Sequence, residues 1–455
     1  MAALASVNPT TGEVLETFAE MPPAECDRIL AASERAFHDW RRRPFAERAE
    51  RLRAAARLLR ERAPACARTM ALEMGKPLAQ GEAEIEKCAL GCEHYAEHGE
   101  RLLAEETRFT GTGRGLVRFD PLGPVLAVMP WNFPFWQVFR FAAPVLMAGN
   151  TAVLKHASNV SRCALAIETL LRDAGLPPDV FRVLLVGADA VPALIADPRV
   201  RGVTLTGSER AGSAVAACAG RALKKTVLEL GGSDPFIVLD DADVATAART
   251  AVDARLVNSG QSCIAAKRFI VLQSVADRFL EEFVAGMRLR RVGDPLDPAT
   301  HVGPQARRDL RDGLHRQVET SRARGARVLL GGRVPEGPGA FYPPTVVTEV
   351  VPGMPAFDEE TFGPVAAIVR ARDEEDALSL ANASAYGLGA SVWTGDRARA
   401  ERLVARIEAG SVFVNGLVRS DPRLPFGGVK RSGYGRELAE YGLREFVNVK
   451  SVWIG

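Results

Sequence analysis

Apolar positions along the 455-residue chain follow two different periods. Over the first hundred residues they recur at helical spacing. From Ala46 to Met74, for example, arginines occupy the opposite face, which predicts amphipathic helices covering a sheet. From Pro121 onward short apolar runs alternate with helical ones. These are "VLAV", a helix from about Phe135 to Ala148, "TAVLK", "RVLLV", a helix near Ala190 to Ala196, "GVTLTG", a helix from about Glu209 to Cys218, and "KTVLEL". A second alternating region follows "ELGGSDP". It contains "FIVL", a helical run from Val244 to Leu256, "RFIVL", a helix near Ala276 to Met287, then "EETFGPVAAIV", "GASVWT" and "SVFVNG". This alternation predicts an α/β protein with a doubly wound parallel sheet, whose ligand sites lie where strands end and loops begin. There is no internal repeat and no low-complexity tract.

Length and charge narrow the class. A chain of this size exceeds what one hydrophobic core supports, so two or more domains are expected. Its 58 basic and 56 acidic residues leave a net charge of +2, with no broad footprint for nucleic acid or an anionic membrane. Small molecules or further copies of the chain are the expected partners. "MAALASVNPTTGE" lacks the basic and apolar regions of a signal peptide, and the seven cysteines are odd in number without close pairing. Free thiols in a cytoplasmic protein are therefore expected. Between Pro121 and Leu154 the only charge is Arg140, which by hydropathy alone suggests a membrane span. Pro121, Pro124, Pro130, Pro134 and Pro144 break that segment too often for one spanning helix, so it reads as buried core.

Two motifs act as decoys. "HYAEH" places His94, Glu97 and His98 at the H-x-x-E-H spacing, in which two histidines one helical turn apart bind zinc beside a glutamate base. The pentamer arises easily by chance and a third ligand would be needed, so no metal is expected and a zinc peptidase is the remote alternative. "GTGRG", Gly111 to Gly115, resembles part of a nucleotide fingerprint but lacks the following helix and last glycine, and so predicts a turn.

The stretch "VNSGQSCIAAK" sets Cys263 among small and polar residues between a helical run and a β-rich one. An isolated cysteine usually packs as a small hydrophobe. A nucleophilic thiolate must instead be reachable, which suits a loop at an element boundary. "NFP", "LELGG" and "EETFGPV" likewise combine a polar group with loop-forming glycine or proline at element ends.

Taken in order, "MPWNFPFWQ", "TGSERAG", "LELGGSDPFIV", "NSGQSC" and "EETFGPV" resemble the aldehyde dehydrogenase superfamily, and the likeness extends from "VNPTTGEVLE" to "FGGVKRSGYGRE". The resemblance implies a dinucleotide-binding domain of residues 1–102 and 123–231 and a catalytic domain of 232–433. It implies a small oligomerisation element of 103–122 and 434–455, giving a homodimer or homotetramer. Cys263 would attack the aldehyde carbon, Asn132 and the Cys263 backbone N–H would stabilise the oxyanion, and Glu229 would activate the water that hydrolyses the resulting thioester. Trp131, Lys155, Gly207, Ser208, Gly212, Gly231, Glu360 and Phe362 match positions that hold the dinucleotide. Ser158 stands where NAD-preferring members carry a glutamate that repels a 2′-phosphate, so NADP is expected to be preferred, with NAD possible.

A closer likeness, to succinate-semialdehyde dehydrogenases, rests on "FWQVFR" and "NGLVRSDPR". It implies that Arg140, Trp136 and Ser420 receive the carboxylate of a short ω-carboxy aldehyde. The competing reading gives the Arg140 guanidinium a protein carboxylate. Val257 replaces an arginine that some members of this subgroup carry before the cysteine motif. Alternatives at this level are a broad aliphatic or a glutaric semialdehyde dehydrogenase, or a protein that keeps the fold without turnover. Ile264, Ala265 and Ala266 follow Cys263, so no neighbouring cysteine is available for a disulfide switch.

Overall fold

Runs of β-branched and aliphatic residues that are buried on both faces read as nearly continuous apolar strings, and such strings form parallel sheets. In the computed structural model, which describes residues 3–455, two sheets are built this way. The first has six strands in the order Gly433–Tyr434, Lys225–Glu229, Gly202–Thr206, Pro124–Met129, Thr151–His156 and Phe181–Val183, parallel except for the first. The second has seven, in the order Arg327–Leu330, Thr345–Thr348, Val365–Ala371, Arg268–Leu272, Pro235–Val238, Gly389–Trp393 and Ser411–Val414. Only its first pair is antiparallel. A separate antiparallel sheet pairs Val447–Ile454 with Arg114–Pro121, which in turn pairs with Glu106–Arg108.

Helices cover both large sheets. Trp136–Ala148 is buried along its whole length, because it lies between the six-stranded sheet and the helix Leu78–Leu102. No helix among the described residues is long and apolar enough to cross a membrane. The helical pattern from Ala46 to Met74 is divided between two helices, Phe45–Glu61 and Ala63–Met74. Pro64 has no N–H to donate and is tolerated only in a first helical turn, so a new helix begins there.

The C-terminal segment also departs from expectation. Gly433–Tyr434 joins the edge of the six-stranded sheet beside Glu229, and the helix Ala439–Arg444 packs against Trp136–Ala148. Leu438, Leu443 and Phe446 are buried there, and this apolar content draws the segment into the core. Only Val447–Ile454 extends the small sheet.

Candidate active site

The cysteine loop leaves the helix Val244–Leu256 through three consecutive left-handed residues, Asn258, Ser259 and Gly260, with φ of 52°, 56° and 78°. For non-glycine residues this conformation costs roughly 1–2 kcal/mol each, so the surroundings must impose it. The Asn258 N–H donates to Gln80 Oε1 at 2.6 Å, and the Gly303 N–H donates to Ser259 Oγ at 2.9 Å. The Ala306 N–H donates to Gln261 Oε1 at 2.8 Å, and Arg255 donates to the Gly260 carbonyl at 2.8 Å. A Cβ on Gly260 would lie 2.3 Å from the carbonyl carbon and oxygen of Gly363. Two backbones thus touch where only glycine fits.

Beyond the bend, Lys267 is fully buried, and its Nζ donates to the carbonyls of Ser262, Cys263 and Ala265 at 3.1, 2.8 and 3.1 Å. With those carbonyls turned to the ammonium, the Cys263 N–H keeps no partner among the described residues. Asn132 follows the strand Pro124–Met129. Its Nδ2 donates to the Gln261 carbonyl at 3.1 Å, and its own carbonyl accepts from Asn258 Nδ2 at 2.6 Å. The two candidate oxyanion donors and the thiol therefore belong to one hydrogen-bonded unit. Cys263 and Asn132 line a cavity of about 250 Å³ together with Trp131, Gly207, Ser208, Gly231, Glu360 and Phe362.

Burial pushes the Cys263 thiol up to about 12, against the opposing fields of Arg140 and Lys267. Glu229 ends the strand Lys225–Glu229, is 1% exposed, and has no hydrogen-bond partner on either carboxylate oxygen. Burial raises its pKa, with Arg140 lowering it and Glu437 raising it further. An unpartnered carboxylate whose charge acts on the thiol is a candidate proton acceptor without a competing donor.

Arg140 departs from the substrate role implied by resemblance, and the reason is local. Its Nε pairs with Glu437 and its Nη2 donates to Thr206 Oγ1 at 3.4 Å, while the guanidinium lies 4.8 Å over the Phe426 ring. Of the two possible anions, the chain itself supplies one, because the helix Ala439–Arg444 brings Glu437 beneath the helix that carries Arg140. Glu437 was not singled out from the sequence. Its only signal is an acid in an otherwise apolar, buried "ELA".

The dinucleotide candidates divide by position. Trp131 and Phe362 meet edge to face at 5.7 Å, and Glu360 Oε1 accepts from the Gly232 N–H at 3.0 Å and lies 3.8 Å from Lys267 Nζ. Ser208 caps the helix Glu209–Arg221 by accepting from the Ala211 N–H at 3.3 Å. Gly212 does not reach the cavity wall. A Cβ there would strike the Leu230 side chain at 2.5 Å, so this glycine serves helix-on-strand packing. Lys155 lies near the end of the strand Thr151–His156, its pKa lowered by burial against the field of Glu20, and Ser158 is exposed just beyond.

A second cavity of about 530 Å³ opens beside Phe133 and Trp136, with Val257 and Leu417 on its wall. Trp136 Nε1 donates to Ser420 Oγ at 3.1 Å, which brings two expected substrate residues together. Lys87 shares this wall and was missed from the sequence. The available signal was its register: on the helix Leu78–Leu102 it falls beside the buried positions Glu84, Cys88 and Gly91, where a lysine is out of place.

The decoys stay apart from these cavities. The His94 and His98 rings touch at 4.8 Å, and no group of three metal-binding side chains occurs among the described residues. "GTGRG" forms a bend, with positive φ at Gly111 and Gly113, leading into the strand Arg114–Pro121. All seven cysteines are free.

Comparison with known proteins agrees with this geometry over the whole chain. The pattern of the aldehyde dehydrogenase family matches residues 2–452. A Mycobacterium avium protein described as succinate-semialdehyde dehydrogenase, NADP(+), is 52% identical over 456 residues, which covers 99% of this chain and 97% of the relative. A Synechocystis protein described as a probable enzyme of the same name is 50% identical over 452 residues, covering 99% and 100%. Among solved structures, succinic semialdehyde dehydrogenase from Streptococcus pyogenes in complex with NADP+ superimposes with a TM-score of 0.97 at 38% identity, covering 99% of this chain and 100% of that one. With its cysteine loop, its buried glutamate and its two α/β sheets, the chain belongs to the aldehyde dehydrogenase family.

Proposed function

We propose that the protein oxidises succinic semialdehyde to succinate with NADP as hydride acceptor. The observation that carries this reading is the hydrogen-bonded loop that sets Cys263 beside Asn132 on one cavity wall, with the buried Glu229 close enough for its charge to act on the thiol, in a chain about half identical to relatives named for that reaction. The Cys263 thiolate adds to the aldehyde carbon, and the Asn132 amide with the Cys263 N–H holds the oxyanion. The dinucleotide supplies a hydride acceptor. Loss of hydride leaves a thioester on Cys263, and Glu229 takes a proton from the water that cleaves it.

The residues present fit such a cofactor. Ser208 and Gly207 present a helix N-terminus, where N–H groups favour phosphate. Trp131 and Phe362 form an aromatic wall, and Glu360 offers a ribose acceptor. The basic Lys155 beside a hydroxyl at Ser158, in place of a carboxylate, supports NADP over NAD.

Supporting oligomerisation, the edge strand Val447–Ile454 of the small sheet leaves Val449 60%, Trp453 61% and Ile454 52% exposed, an apolar edge that a second copy can extend into a dimer or tetramer. Free thiols are in keeping with the cytoplasm. The test is the initial rate of reduced-cofactor formation with succinic semialdehyde, comparing NADP with NAD and the wild type with Cys263→Ala. Loss of turnover in the variant and a higher kcat/KM with NADP are expected. Turnover retained without the thiol overturns the mechanism, and equal rates with butanal favour a broad aliphatic enzyme.

A further inference from the structure

The 530 Å³ cavity carries four charged side chains, Glu84, Lys87, Asp253 and Arg290. Three of them are neutralised within the chain. Glu84 pairs with Lys76 and accepts from the N–H groups of Phe135 and Trp136 at 2.9 and 2.8 Å. Asp253 and Arg290 pair with each other at 2.7 Å. Lys87 forms no ion pair among the described residues. Its Nζ donates to Ser420 Oγ at 2.7 Å and lies 4.7 Å over the Trp136 ring. An ammonium has three N–H donors, and one is used.

The hydroxyl next to it is constrained in a complementary way. Ser420 Oγ accepts from both Lys87 Nζ and Trp136 Nε1, which occupies its two lone pairs and leaves its own O–H free to donate. A cation without a counter-ion on the cavity wall therefore stands beside a hydroxyl that can only donate, held by the two wall residues Lys87 and Trp136. Both are suited to an anion. Phe133, which lines this cavity, is the chain neighbour of Asn132, which lines the cavity of Cys263, so the anion receptor adjoins the reacting end of the site in the chain.

We propose that Lys87, with the Ser420 hydroxyl and the Trp136 ring, is the receptor for the distal carboxylate of the aldehyde, and that it sets the preference for ω-carboxy over neutral aldehydes. This rests on the substrate reading above and moves the recognising charge from Arg140 to Lys87. Arg140 is held by Glu437, whereas the carboxylates around Lys87 have other partners: Glu84 has Lys76, and Asp421 has Arg423. Burial and the neighbouring Arg140 bring the Lys87 ammonium down to about 8, with Cys88, Glu84 and Asp421 opposing. It is charged at neutral pH and loses its proton above that value.

The test compares kcat/KM for succinic semialdehyde and for butanal, a neutral aldehyde of the same length, in the wild type, Lys87→Met and Lys87→Arg. Lys87→Met is expected to lower the ratio of the two by on the order of 10–100-fold, mostly through KM for the semialdehyde, with Lys87→Arg restoring much of it. In the wild type the semialdehyde KM should climb above pH about 8, a climb that Lys87→Arg moves to higher pH. A wild type that favours the semialdehyde while Lys87→Met keeps the same preference overturns this assignment alone. A wild type without preference overturns the substrate reading together with it.

Discussion

Replacing Arg140 by methionine separates its two possible roles. Methionine keeps an unbranched chain of similar reach but removes the cation that Glu229 and Glu437 share. Breaking a buried ion pair from one side costs about 3–5 kcal/mol, because the remaining charge is stranded. With a melting entropy of about 2.1 cal/mol/K per residue, a chain of this length should lose about 3–5 °C in Tm if it melts as a unit.

The catalytic consequence has a definite sign. Burial raises the Glu229 pKa and Arg140 lowers it, so without Arg140 it rises further. The base works when ionised, so its active fraction at neutral pH falls and the acid limb of kcat moves to higher pH. Arg140 also lowers the Cys263 thiol, and its loss displaces that ionisation in the same direction. Both effects act on the enzyme rather than on the substrate's far end, so at neutral pH, where Lys87 is charged with or without Arg140, succinic semialdehyde and butanal should suffer alike. Calorimetry and initial rates with both aldehydes, from neutral to alkaline pH, test this. A loss confined to KM for the semialdehyde, with the pH limb and Tm unmoved, would refute the reasoning and return the guanidinium to the substrate.

Other variants probe separate parts of the site. Lys267→Met leaves three loop carbonyls without their donor and should lower kcat by on the order of 100-fold. The pH midpoint for alkylation of Cys263 should rise with it, and unchanged alkylation would count against a role for the ammonium. Ser158→Glu places a carboxylate where a 2′-phosphate is expected and should lower the ratio of kcat/KM for NADP over NAD by roughly 10–100-fold, a charge effect of a few kcal/mol at most; an unmoved ratio would remove Ser158 from cofactor choice. Gly260→Ala drives a Cβ to 2.3 Å from the Gly363 carbonyl at a φ of 78°. It should cost at least about 1–2 kcal/mol of stability along with most activity, and a fully active variant would mean that the loop has another conformation.

Local patterns made most of the framework legible. The helix predicted from Val244 to Leu256 has those ends, and each apolar run from "VLAV" to "SVFVNG" supplies a strand of one of the two large sheets. Cys263, Asn132 and Glu229 stand in short motifs where a polar group meets glycine or proline, so they too could be read locally. What could not be read depends on long-range neighbours. Lys87 gains its meaning from Ser420, 333 residues away. The apolar run around Arg140 signals that its guanidinium needs an anion or water, but which partner it takes depends on where the C-terminal segment packs. Gly212 resembled a phosphate loop because small residues near a helix start serve both phosphate approach and helix packing.

The left-handed bend at Asn258–Gly260 ties catalysis to the assembly of the two lobes. One face of the bend is held by Gln80 and Asn132, from the part of the chain that builds the six-stranded sheet, and the other by Gly303, Ala306 and Gly363, from the part that builds the seven-stranded one. Neither lobe alone supplies all the contacts that impose two unfavourable non-glycine conformations in a row. A chain in which that seam is open should therefore present an ordinary cysteine instead of a poised one. On heating or in mild denaturant, parting of that seam should silence the enzyme before either sheet melts, so that activity reports the integrity of the interface and not of the folded mass.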